Sequence, residues 1–277
     1  MTMRKIERIV RGRATSDGAG VRLTRIIGAP ELPDLDPFLM LDEFGSDDPN
    51  HYIGGFPDHP HRGFETVTYL LAGEVAHADS AGHRGTLTAG SVQWMTAGRG
   101  VVHSEMPRMT EGLLRGFQLW VNLPAARKMD KPAYREFSAG SIPTASVAGG
   151  RVKVIAGRFG DVIGPVAAVA VDPIYFDVTV APGGSVTVPA PADHDGFVYL
   201  YEGGGTVGER PMVNGELGVL GAGEALELVG GDGGLSALLV AGRPIGEPVA
   251  RYGPFVMNSV AEIERAFDDY RNGRLAE

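Results

Sequence analysis

Short apolar stretches punctuated by Gly, Pro, Asn and Asp recur along nearly the whole chain, at 66–71, 91–95, 117–123, 174–180, 197–201 and 235–241. Runs of this length and spacing predict an all-β fold of sandwich or barrel type. From Phe117 to Leu123 the odd positions are aliphatic or aromatic and the even ones carry polar atoms, which predicts a strand with one core face. Ile174, Phe176, Val178 and Val180 repeat that alternation. Residues 124–143 hold Arg127, Lys128, Asp130, Lys131, Arg135 and Glu136 without a strong period, and predict a connector with one helical turn. The domain boundary falls there, giving an N-terminal domain over 1–135 and a C-terminal domain over 136–277. A weak repeat points to two similar domains: Tyr69-Leu70-x-x-Gly73 recurs as Tyr199-Leu200-x-x-Gly203, and Leu87-x-Ala89-Gly90 as Leu220-x-Ala222-Gly223. At the end of the chain, Ser259 and Glu262 have capping-box spacing. Ile263, Ala266, Phe267 and Tyr270 then share one face before Asn272-Gly273, so a short amphipathic helix closes the sequence.

Composition narrows the chemistry. With 43% apolar residues in 277, each half can build a core, and the 41 glycines and 19 prolines belong to turns. The net charge of −9 argues against direct binding to nucleic acid or to an anionic membrane surface. Arg4, Lys5, Arg8, Arg11 and Arg13 read as a solvated basic face. The absence of cysteine excludes disulfides, thiolate ligands and a cysteine nucleophile, so any metal must sit among nitrogen and oxygen donors. The first residues, MTMRKIERIVRGRA, lack the apolar centre of a signal peptide, and no run approaches the roughly 18 apolar residues of a membrane span. The expected location is the cytoplasm.

The candidate chemistry lies in His59-Pro60-His61 and His103-Ser104-Glu105. On a strand, residues i and i+2 project from the same face about 6.5–7 Å apart, close enough for both to reach one ion. Two such pairs facing each other would offer three imidazoles and one carboxylate. This set suits Fe(II), Mn(II), Ni(II) or Cu(II) engaged in chemistry better than a structural zinc. Spacing alone does not choose between Glu65, which shares strand parity with His59 and His61, and Glu105. His51, His77, His83 and His194 sit among turn residues and are expected to have no ligand role. Gly203-Gly204-Gly205 reads as a hairpin, because no Lys-Ser/Thr and no helix pattern follow it.

His59-x-His61-x-x-x-Glu65 with Gly73 is similar to the first cupin motif, and Gly100-x-x-His103 to the second, with Gly98 where a proline is common. DPFLMLDEFG at 36–45, FPDHPHRGFETVTYLL at 56–71, QWMTAGRGVVHSEMP at 93–107 and GPFVMN at 253–258 resemble the pirin family of bicupins. The resemblance implies two jelly-roll-like cupin β-barrels packed face to face, with one metal in the N-terminal barrel. The implied ligands are His59, His61, His103 and Glu105. The implied ion is Fe(2+), with Mn, Ni, Cu or Zn as alternatives, and Glu65 becomes a base or imidazole-orienting group behind the ligands. Aligning the two Tyr-Leu-x-x-Gly segments puts Pro189 and Pro191 where the first barrel has His59 and His61, so the second barrel is expected to be structural. The resemblance further implies a dioxygenase opening a flavonol such as quercetin with O2, with Phe56, Trp94 and Met95 as pocket candidates. The alternative it implies is a metal-dependent regulatory protein that acts by binding a protein partner.

Overall fold

The computed structural model describes residues 1–167 and 169–277. The all-β expectation holds: antiparallel sheets dominate, and the one α-helix among the described residues is Val260–Arg271 near the C-terminus. Ser259 caps that helix by accepting from the Glu262 amide, as the sequence indicated. Among the described residues, no helix is long and apolar enough to cross a membrane.

Two compact units divide the chain, and their ends depart from a simple split at 135/136. One unit comprises 1–12, 29–37 and 140–244; the other comprises 13–28, 38–139 and 245–277. The N-terminal strand Ile6–Arg11 pairs with Glu216–Leu220 across more than 200 residues of sequence, and Ile6 enters the apolar core there. Arg4 is fixed in the same unit. Its guanidinium is buried and donates to the carbonyls of Ala190, Gly221, Pro191 and His194, so it is a structural peg and not part of a solvated basic face. Residues 124–143 also differ from a plain connector. A 3-10 turn at Ala125–Arg127 is followed by the strand Ala133–Phe137, which pairs with Val92–Thr96.

In the unit built mainly from 38–139, a seven-stranded sheet has at its centre Phe64–Ala72, Leu114–Asn122 and Phe38–Ser46. A four-stranded sheet runs Phe56–His61, Val101–Pro107, Glu74–Asp79, Arg84–Thr88. Leu114–Asn122 is buried on both faces rather than one. Phe117, Leu119 and Val121 are fully buried, while the alternate residues Gln118 and Trp120 line an internal cavity.

The other unit repeats the pairing frame with different contents. Asp195–Val207 lies between Glu216–Leu220 and Ala225–Gly242, as Phe64–Ala72 lies between Val92–Thr96 and Leu114–Asn122. Ser185–Pro189 pairs with Ala225–Gly242 in the position that Phe56–His61 takes against Val101–Pro107. The cross-strand pair Thr68–Gln118 in the first unit corresponds to Val198–Leu239 in the second. Val186, Val188, Val198, Leu226, Leu228 and Leu239 join one aliphatic core.

The C-terminal segment clasps the histidine-bearing strand. Arg62, adjacent to His61, donates to Asp269 Oδ2 at 2.7 Å, to the Leu275 carbonyl at 2.9 Å and to the Arg99 carbonyl. The buried Lys128 ammonium donates to Asn122 Oδ1 at 2.6 Å, to the Gly63 carbonyl at 2.8 Å and to the Val256 carbonyl at 3.2 Å. Gly63 has φ +90°, and a Cβ there would lie 1.9 Å from the Val256 oxygen, so only glycine lets the chains cross so closely. Lys128→Met should therefore lower the unfolding free energy by about 2–4 kcal/mol, because it strands buried acceptors. Urea denaturation checks this: the midpoint should fall with the slope unchanged.

Candidate metal centre

The site begins with a strand pairing. Phe56–His61 and Val101–Pro107 run antiparallel with His59 directly opposite His103 and His61 opposite Val101. This register gathers three imidazoles, with ring centroids 4.4 Å apart for His59 and His103, 4.6 Å for His59 and His61, and 5.0 Å for His61 and His103. One ring nitrogen from each lies within 4.8 Å of the other two.

The hydrogen bonding leaves lone pairs for a cation. His59 Nδ1 lies 2.8 Å from the Pro57 carbonyl, which can only accept, so the proton sits on Nδ1 and Nε2 keeps its lone pair. His61 Nδ1 is buried without a partner, and so are both nitrogens of His103. Orphaned buried donors and acceptors are costly and call for a missing partner. Burial pushes His61 well below the usual imidazole range, reinforced by His103 and His59. Burial likewise lowers His103 to about 3, with His59 and His77 adding to it. Both rings are therefore neutral near pH 7, the state that binds a metal. The donor set fits one metal ion.

Glu105 lines the same cavity as His59 and His61, but its carboxylate is not among the donors that cluster within 4.8 Å of one another. A bulge between His103 and Glu105 places Glu105 opposite Phe56. Thr68 Oγ1 shares its one proton between a Glu105 oxygen at 2.8 Å and Gln118 Oε1 at 2.6 Å, and Gln118 Nε2 donates to the other Glu105 oxygen at 3.5 Å.

Glu65 is not brought to the histidines, contrary to the role expected behind the ligands. On the Phe64–Ala72 strand, Phe64 packs on His61 and Thr68 reaches Glu105, so even positions face the site and Glu65 faces away. Its oxygens accept from Trp94 Nε1 at 2.9 Å and Thr96 Oγ1 at 2.6 Å, while burial raises its pKa. Trp94 and Met95 likewise leave the pocket: Trp94 serves Glu65, and Met95 packs with Ala97 and Val101. Phe56 does line the cavity.

Of the remaining histidines, His77 departs from the expected turn. It is a buried residue of the Glu74–Asp79 strand, directly across from Glu105, stacked on Tyr134 and in contact with the Glu136 carboxylate. His194 is buried as a structural tie between Asp193 and the Asp172 carbonyl. His51 and His83 bond Ser46 and Asp79 locally.

The cavity lined by His59 and His61 has a volume of about 390 Å³, within the range of small-molecule sites. Val21, Leu23, Phe44, Phe56, Leu114 and Trp120 supply apolar walls. Thr68, Gln118, Trp120 and Arg251 were not predicted as site residues. The even-position polarity of 117–123 was the available signal for Gln118 and Trp120, whereas nothing local marked Arg251.

Loading with a divalent transition metal should saturate at one equivalent per chain by elemental analysis, and His103→Ala should lose that ion. Full occupancy in the variant would show that the triad is not the site.

Comparison with known proteins agrees with the fold. Residues 20–121 match the Pirin family, and residues 175–276 match the Pirin C-terminal cupin domain. A Pseudomonas aeruginosa relative provisionally named quercetin 2,3-dioxygenase is 50% identical over 272 residues, covering 96% of this chain and 95% of its own length. A pirin-like protein of Caulobacter vibrioides is 50% identical over 278 residues, covering 99% of this chain and 100% of its own. The crystal structure of a quercetin 2,3-dioxygenase from Acinetobacter baumannii superposes with a TM-score of 0.91 at 33% identity, covering 99% of each chain. This chain, with its two cupin domains, belongs to the pirin family.

Proposed function

We propose that the protein is a metal-dependent dioxygenase that opens a flavonol such as quercetin with O2, using a mononuclear iron ion held by His59, His61, His103 and Glu105. The observation that carries this reading is the partly orphaned histidine triad, two of whose members line a mostly apolar cavity. The names of the Pseudomonas and Acinetobacter relatives support the substrate class. We also place the protein in the cytoplasm, in keeping with its lack of cysteine.

When bound, the ion supplies Lewis acidity toward a substrate hydroxyl and a redox-active centre for the reaction with O2. The protein's own groups do the rest. The Pro57 carbonyl fixes the His59 tautomer, and Thr68 and Gln118 hold the Glu105 carboxylate in one orientation. Asp17, Asp42 and Glu105 are the carboxylates lining the cavity, and the two aspartates are engaged by Arg25 at 2.7–2.9 Å. Glu105 is thus the carboxylate placed to take the proton of a substrate hydroxyl. The walls formed by Leu23, Phe44, Phe56 and Trp120 accept a flat aromatic skeleton and exclude water from it.

Aerobic incubation of quercetin with protein loaded in turn with Fe(II), Mn(II), Ni(II) or Cu(II) tests the proposal. Flavonol absorbance should fall with matching O2 uptake for at least one metal. Glu105→Gln should lower metal content and reduce turnover by about 10²–10⁴-fold, the scale of a lost general base. Glu65→Gln should leave both near wild type. No turnover with any metal would overturn the enzymatic reading and favour a metal-dependent binding protein.

A further inference from the structure

Two arginines line the cavity, and the charge of Asp42 acts on both. Arg25 is engaged by carboxylates, donating to both oxygens of Asp42 and to Asp17. Arg251 comes from the short strand Ala250–Tyr252, in the segment that clasps the site. Its guanidinium carbon lies 4.7 Å from the centre of the Trp120 ring, Nη1 donates to the Leu39 carbonyl at 3.0 Å, and Nη2 lies 3.8 Å from Met40 Sδ. Trp120 meets His61 edge-on at 5.2 Å and packs against Phe64 at 4.2 Å. Imidazole, indole and guanidinium therefore form one continuous wall. The steps of 5.2 and 4.7 Å hold the Arg251 guanidinium within about 10 Å of the His61 ring, a span that a fused bicyclic skeleton bridges.

A guanidinium fixed over an aromatic face has its orientation set before a ligand arrives, and its planar fork presents several N–H donors to an anionic oxygen. In a cavity walled by Val21, Leu23, Phe44 and Leu114, a charge-assisted hydrogen bond of this kind is stronger than one in water. We infer that Arg251 is a specificity-determining residue: stacked on Trp120, it selects planar aromatic substrates that carry an acidic oxygen in addition to the one directed at the histidines. The inference rests on the flavonol reading for its choice of substrate class, and its test is a binding measurement that does not require turnover.

Anaerobic calorimetric titration of the metal-loaded protein would compare 3-hydroxyflavone, with a single acidic hydroxyl, against quercetin, with further phenolic hydroxyls on the same skeleton. Wild type should bind quercetin about tenfold more tightly than 3-hydroxyflavone. Arg251→Met should erase that preference while keeping affinity for 3-hydroxyflavone. Arg251→Lys, which keeps the charge but not the planar fork, should retain part of it. If Arg251→Met proves unfolded by circular dichroism, the lysine variant decides: an undiminished preference there overturns the inference. So does an unchanged preference in the methionine variant, or a wild type that binds both ligands equally or binds neither. If the Arg251-dependent preference is present but no O2 is consumed in air, the inference stands and the dioxygenase reading falls. Turnover of quercetin with no such preference has the opposite meaning.

Discussion

The site depends on an electrostatic conflict set up by one strand pairing. By opposing His59 to His103, the antiparallel register brings three imidazoles within contact of one another, and two of them are buried with unpartnered nitrogens. Each orphaned polar atom costs on the order of 1–3 kcal/mol, and protonation cannot relieve it because desolvation and the neighbouring rings disfavour the charged form. The arrangement persists because the strand has little freedom. Arg62, Gly63 and Lys128 tie the residues just beyond His61 and their surroundings to the C-terminal segment by hydrogen bonds and close backbone crossing. A metal cation would resolve the conflict by taking the lone pairs that the protein leaves unused.

The second cupin unit shows the same frame without that conflict. Where Thr68 and Gln118 face the first interior, Val198 and Leu239 face the second, and Val186 and Val188 occupy the strand corresponding to the one that bears the histidines. Aliphatic side chains there form a continuous core, whereas the first unit holds a cavity lined by imidazoles, three carboxylates and two arginines. One topology thus holds a packed core in one half and a cavity in the other, and the difference lies in a few inward-facing positions.

Much of this was legible in the sequence because it is encoded locally. The i, i+2 spacing of His59 and His61 needs only an extended strand to become a shared face, and period-two runs reported the strands of both units. What escaped was set by long-range pairing. Nothing near Ile6 announces that it enters a core built from residues after 140, and nothing near Ile263 announces that its helix packs with the histidine-bearing unit. Glu65 was misread because its parity with His61 was carried through Arg62 and Gly63, where the backbone bends; beyond that turn it faces Trp94 and Thr96. The single-face reading of 117–123 failed because the barrel interior is itself partly polar, so Gln118 points inward and not to solvent.

The central claim is that three imidazoles from these two strands share one ion. X-ray absorption spectroscopy on protein loaded with a single equivalent of metal tests it directly, because imidazole rings give characteristic outer-shell scattering. The expected spectrum has a first shell of nitrogen and oxygen only, with outer-shell features fitted by three imidazoles. A shell fitted by one imidazole or none would place the ion elsewhere and contradict it.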